Sequence, residues 1–102
     1  MKKEIANKEI EVDQEGYLTD FSQWDKDVAQ AIAKENDLNM TDKHWEVIEF
    51  LQDKHHKEEP LSIRGIKKSG VINIKDFYSL FPGGPLKVST KIAGIPKPKS
   101  CI

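Results

Sequence analysis

Proline and glycine cut the second half of this chain into short pieces. A helix running into Pro60 must stop before it, and Gly70 breaks the next. Pro82-Gly83-Gly84-Pro85 is a turn that no helix or strand crosses, and Gly94, Pro96 and Pro98 end regular structure near the C-terminus. The intervals between these breaks carry apolar residues at helical spacing. Each is too short to stand alone and must bury its face against the others, so the fold class predicted is mainly α, a small helical bundle. With 102 residues it holds one core and one body, expected over 1–93, with an arm over 94–102.

The individual elements follow from caps and periodicity. Ile5-Ala6 and Glu9-Ile10-Glu11-Val12 flank Asn7-Lys8 and predict an N-terminal β-hairpin turning at Asn7-Lys8. Asp13-Gln14-Glu15-Gly16 is a turn, after which Tyr17-Leu18 re-enters the core. Ser22 is the expected cap of a first helix, with Trp24, Val28, Ala31 and Ile32 as its apolar stripe and Asn36-Asp37 as its end. Thr41 caps the second, with Met40 and Trp45 at staple spacing and Trp45, Ile48 and Leu51 as its seam, widened by Val47 and Phe50. Ser62 caps a short third helix ending at Lys68. Asn73 caps a fourth, with Ile74, Phe77, Tyr78 and Phe81 expected to face inward. Leu86 to Ala93 fits two further turns, with Leu86 and Ile92 buried and Gly94 closing the helix in the left-handed conformation.

Composition narrows the function classes. Hydrophobic residues make up 37% and charged residues 32% of the chain, and no apolar run reaches the length of a membrane span. The N-terminus lacks the apolar stretch of a signal peptide, and one cysteine excludes an internal disulfide. Both favour the reducing cytoplasm. The formal net charge of −1 hides an asymmetry. Every acidic side chain lies at or before Asp76, whereas Lys87, Lys91, Lys97 and Lys99 follow it. An acidic body with a basic arm suits an acidic cleft on a partner.

Most candidate chemistry dissolves on inspection. His44 and His55 lie about 16 Å apart along one helix, and His55 and His56 point to different sides. No metal is expected, and these histidines read as solvated or cap-region residues. Glu46, Glu49 and Asp53 make one acidic helix face, the usual pattern of an exposed surface. No glycine-rich phosphate loop is present, and no cofactor is expected. Arg64, Lys67 and Lys68 cluster on the third helix, enough basic charge for a helix-turn-helix DNA-binding regulator, although the acidic body opposes that reading.

Cys101 remains. Pro96 and Pro98 make the tail before it an extended, polyproline-like arm, and at about 3.1 Å per residue Ile95 to Cys101 spans roughly 20 Å. Sulfur transfer needs a thiolate that can hold an outer sulfur and reach two active sites in turn. A thiol on a semi-rigid arm meets both needs. Lys97 and Lys99 favour the thiolate. No base lies in the tail, so strong activation must come from a partner.

The tail Lys91-Ile92-Ala93-Gly94-Ile95-Pro96-Lys97-Pro98-Lys99-Ser100-Cys101-Ile102 resembles the C-terminus of the TusE/DsrC family of sulfur-relay proteins. Glu15-Gly16-Tyr17-Leu18, His44-Trp45-Glu46-Val47-Ile48 and Leu80-Phe81-Pro82-Gly83-Gly84-Pro85 agree with it as well. The resemblance implies a helical fold with a helix-turn-helix-like arrangement and a mobile arm whose penultimate Cys101 accepts persulfide sulfur. Lys91, Gly94, Pro96, Lys97, Pro98 and Lys99 would then serve arm placement and partner docking. It implies a carrier, rather than a stand-alone catalyst, charged by a TusBCD/DsrEFH-like sulfurtransferase. The acceptor would be a tRNA 2-thiouridine synthase or, in the alternative, dissimilatory sulfite reductase. DsrC-type members carry a second cysteine eleven positions before the last. Thr90 stands there in this chain, which favours a one-cysteine carrier of the TusE type.

Overall fold

The computed structural model describes residues 1–59 and 61–96. Strands β1 (Lys2–Ile5) and β2 (Lys8–Glu11) pair antiparallel, with Ile5 opposite Lys8. The turn is therefore Ala6-Asn7, one residue earlier than expected, and both residues adopt positive φ (54° and 62°). Two consecutive left-handed residues match the twist of a two-residue hairpin, and Asn at the second place tolerates this best. This register puts Ile5 and Ile10 in the core. A bridge between Val12 and Leu18 carries the ladder past the Asp13–Gly16 turn.

Five helices follow among the described residues: α1 (Lys26–Glu35), α2 (Asp42–His56), α3 (Ile63–Ser69), α4 (Ile74–Leu80) and α5 (Pro85–Ile92). Ser22 does not cap α1. The Asp20 carboxylate takes the backbone N–H and the hydroxyl of Ser22, which closes a 3₁₀ turn over Phe21–Gln23. Trp24 is then extended, and Asp25 caps α1 by accepting from the Val28 N–H at 2.8 Å. The buried face of α1 is Val28, Ala29, Ile32 and Ala33.

The expected caps of the next three helices hold: Thr41 for α2, Ser62 for α3 and Asn73 for α4. Gly70, at φ 77°, ends α3, and a short connection leads to Asn73, the cap of α4. Two facings differ from expectation. Trp45 and Phe50 are only partly buried, and α2 packs through Val47, Ile48 and Leu51 with His44. Tyr78 is 47% exposed. The short α4 buries a face centred on Phe77, with Phe81 one turn on, and the next residue along points about 100° away from that face.

Pro85 starts α5 at a position where its missing N–H costs nothing. Leu86 and Ile92 are buried as expected. α5 touches α1, α2 and α4, so the last helix is the hub on which the bundle closes. The core continues beyond it: Ala93 and Ile95 are fully buried, so the packed body runs two residues past the boundary expected at 93.

Candidate functional site

The site that sequence reasoning places on the tail is described structurally only at its root. Cys101, Lys97, Pro98 and Lys99 lie outside the described residues. Pro96 is exposed, and everything before it is held. Gly94 adopts φ 73° and its N–H donates to the Lys91 carbonyl at 3.2 Å. The Ile95 N–H donates to the Thr90 carbonyl, also at 3.2 Å. These crossed bonds form a Schellman motif, which uses a left-handed glycine to turn the chain off the helix axis, and Ile95 supplies its usual apolar contact. Gly94 and Ile95, placed by the sequence reading in the 94–102 arm, are therefore held to the end of α5, and Ile95 is buried in the body.

Two side chains from other elements complete the root. The Trp24 indole N–H donates to the Ile92 carbonyl at 2.8 Å. The Gln52 side-chain amide, from α2, donates to the Ala93 carbonyl at 2.8 Å. The indole also lies against Gly94, where an added Cβ would come within 2.4 Å of Trp24 Cδ1. Sequence reading took Trp24 for a helix-stripe residue and gave Gln52 no role. A lone amide on a helix surface carries no signal of what its donor will meet.

Lys91 is half-buried, with its Nζ 5.1 Å from the centre of the Tyr17 ring. Tyr17 donates from its hydroxyl to the Lys87 carbonyl at 3.2 Å. Glu15, Tyr17, Gly83, Lys87, Val88 and Lys91 line a shallow cleft of about 260 Å³ beside α5. Thr90 is buried, and its hydroxyl donates to the Leu86 carbonyl at 2.7 Å. That bond satisfies the polar group within its own helix.

The remaining candidates are not gathered at this root. Arg64, Lys67 and Lys68 are exposed on α3 and form no ion pair among the described residues. Glu46, Glu49 and Asp53 are exposed as expected, with Glu46 paired to Lys43 and Asp53 to Lys57. His44 belongs to a cap, as one of the two readings had it, but it is not solvated. Its Nδ1 meets the Thr41 N–H at 3.1 Å, and its Nε2 meets the Leu80 carbonyl at 2.9 Å. His56 sets its edge on Phe21, with ring centres 4.7 Å apart. No group of three metal-ligating side chains exists among the described residues.

The chain matches known proteins over nearly its whole length. The family model for DsrC like protein matches residues 4–102. Sulfurtransferase TusE of Escherichia coli strain K12 is 41% identical over 106 aligned positions, covering 96% of this chain and 97% of its own. Sulfurtransferase TusE of Photorhabdus laumondii is 40% identical over 107 positions, covering 96% of each. Among solved structures, the NMR structure of Allochromatium vinosum DsrC matches with a TM-score of 0.83 at 34% identity, over 99% of this chain and 97% of that one. The oxidized gamma-subunit of dissimilatory sulfite reductase (DsrC) from Archaeoglobus fulgidus matches at 0.79 and 32%, over 100% of both. With a family model that spans nearly every residue and relatives alike from end to end, this chain belongs to the DsrC-like protein family.

Proposed function

We propose that this protein is a cytoplasmic sulfur carrier whose Cys101 accepts sulfane sulfur as a persulfide and delivers it to a second protein. The observation that carries the reading is the built root of the arm. A Schellman turn with buried Ile95 sends the chain out at exposed Pro96, and the sequence Lys97-Pro98-Lys99-Ser100-Cys101 follows. Two relatives that are alike over nearly the full chain bear the name Sulfurtransferase TusE, which supports the same role.

The chemistry is redox-neutral. The Cys101 thiolate attacks the outer sulfur of a donor persulfide, the donor S–S bond breaks, and the donor leaves as a thiolate. Cys101 then holds an S–SH group whose outer sulfur a downstream thiolate takes by the same exchange, the S–S bond breaking and Cys101 leaving as a thiolate. Thr90, where a second cysteine would be needed for an internal disulfide, supports a one-cysteine carrier between a TusBCD-like donor and a tRNA 2-thiouridine synthase. No described helix is long and apolar enough to cross a membrane.

Intact-protein mass spectrometry tests this. Incubation with a persulfurated cysteine desulfurase or its sulfur acceptor should add one sulfur, removable by dithiothreitol, and Cys101→Ser should abolish the gain. A Ser variant that still gains reducible sulfur overturns the assignment.

A further inference from the structure

Charge is divided unevenly between the two parts of this chain. Sixteen of the seventeen acidic side chains lie in residues 1–59, and Asp76 is the one beyond them. Residues 61–96 carry Arg64, Lys67, Lys68, Lys75, Lys87 and Lys91. Every ion pair between described residues lies within residues 1–59, so none of these six cations meets a carboxylate there.

The cations of α3 and α4 stand in rows. Arg64, Lys67 and Lys68 are exposed at i, i+3 and i+4, which places them on one face of α3. On α4, Lys75 and Tyr78 are exposed at i and i+3. Phe77 beside them is fully buried, whereas the Tyr78 ring is left open at 47%. A cleft of about 430 Å³ joins the two helices, with Lys67 on one wall, Asn73 and Asp76 on the other and Lys43 of α2 at its edge. The acids near this cleft are engaged. Lys43 holds Glu46 at 3.4 Å while donating to the Val71 carbonyl, and the Asn73 amide donates to the Asp76 carboxylate at 2.8 Å.

We propose that the α3–α4 face binds the phosphate backbone of RNA. The choice of RNA rests on the carrier reading above, in which the acceptor holds a tRNA; the basic face itself does not. Three cations on one helix face and a fourth on the next suit a run of phosphates, contacts that give affinity without reading sequence. Tyr78 adds an aromatic surface on which an unpaired loop base can stack, which RNA loops offer and duplex DNA does not. The face uses no residue of the tail, so RNA contact and sulfur transfer are separable.

Fluorescence anisotropy of a labelled RNA stem-loop tests this, with Cys101→Ser protein to prevent disulfide dimers. At low salt a Kd on the order of 10–100 μM is expected, weakening with salt at a log–log slope of about 2–3. Arg64→Gln, Lys67→Gln and Lys68→Gln together should weaken binding at least about tenfold and lower the slope by about 2, whereas Lys34→Gln on α1 should change neither. In an NMR titration with the same RNA, the shifted amides should lie on α3 and α4. That map needs no variant at these cations, so it decides should the triple variant fail to fold. Absence of saturable binding, an unchanged triple variant, or shifts centred on α1 or confined to residues 97–102 overturns the proposal. Duplex DNA that competes as well as the stem-loop overturns the assignment to RNA. Polyglutamate that shifts these amides where RNA does not would make the face one for an acidic protein and overturn it too. A Cys101→Ser protein that still gains sulfur would instead overturn the carrier reading and leave the measured binding standing.

Discussion

Gly94 and Trp24 meet so closely that a methyl group at position 94 would sit 2.4 Å from the indole Cδ1 and 2.8 Å from Cγ. The contact locks the end of α5 to the segment before α1, and Gly94 is also in the left-handed region at φ 73°. Gly94→Ala therefore faces two penalties, about 1 kcal/mol for the backbone and roughly 1–3 kcal/mol for the overlap. Urea unfolding should show a loss of about 2–4 kcal/mol. A loss below about 1 kcal/mol would mean that the indole moves aside freely.

Ile95 is the last buried position among the described residues. Removing residues 97–102 should shift Tm by less than about 3 °C, because among the described residues burial ends at Ile95 and Pro96 is exposed. Removing residues 95–102 also removes a fully buried isoleucine and one Schellman bond. Ile95→Ala alone should cost about 2–4 kcal/mol. Equal stability of the two truncated proteins would contradict the burial of Ile95.

His44 joins the start of α2 to the end of α4 through Thr41 and Leu80, and its ring packs edge-on against Phe81. His44→Leu keeps the bulk and leaves the Leu80 carbonyl and the Thr41 N–H without these partners. Each lost partner in a buried site costs about 1–3 kcal/mol. A destabilisation of roughly 2–4 kcal/mol is expected by denaturant titration, and His44→Asn should recover little because its amide is too short to reach both groups. A neutral His44→Leu would show that water replaces the imidazole.

Asp25 caps α1 and pairs with Lys8 of β2. The hydrogen bond from Lys8 and then that from the Val28 N–H hold its carboxyl below the ordinary value of 3.8. A depressed folded pKa stabilises at pH above 3.8, and this contribution is lost as pH falls through the folded value. Lys8 is raised above 10.5 chiefly by the same bond, so its share is present below that pH and disappears as pH rises through the folded value. Asp25→Asn preserves a good cap and removes the charge, whereas Asp25→Ala costs about 1 kcal/mol at neutral pH. The stability difference between the native protein and Asp25→Asn should therefore shrink below pH 4. A difference that stays constant from pH 7 to pH 2 would remove the ion pair from the account.

Sequence alone determined where most helices begin and end, because caps and breaks are local. Thr41, Ser62 and Asn73 each satisfy an N–H within three residues, and Gly70 and Gly94 each supply a positive φ that few other residues tolerate. The same locality failed at Ser22. Asp20 and Asp25 are equally good acceptors on either side of it, and both are used, Asp20 for the 3₁₀ turn and Asp25 for α1. Tertiary structure alone decided that Ile95 is core, that His44 is a buried strut and that Gln52 serves the arm root. Each of those roles depends on an atom 36 or 41 residues away in sequence, or on a surface assembled from several helices, and no periodicity records such a meeting. The tail motif was legible because its prolines act on their own backbone. The bonds that hold the end of α5 were not, because they come from Trp24 and Gln52, side chains that lie outside α5.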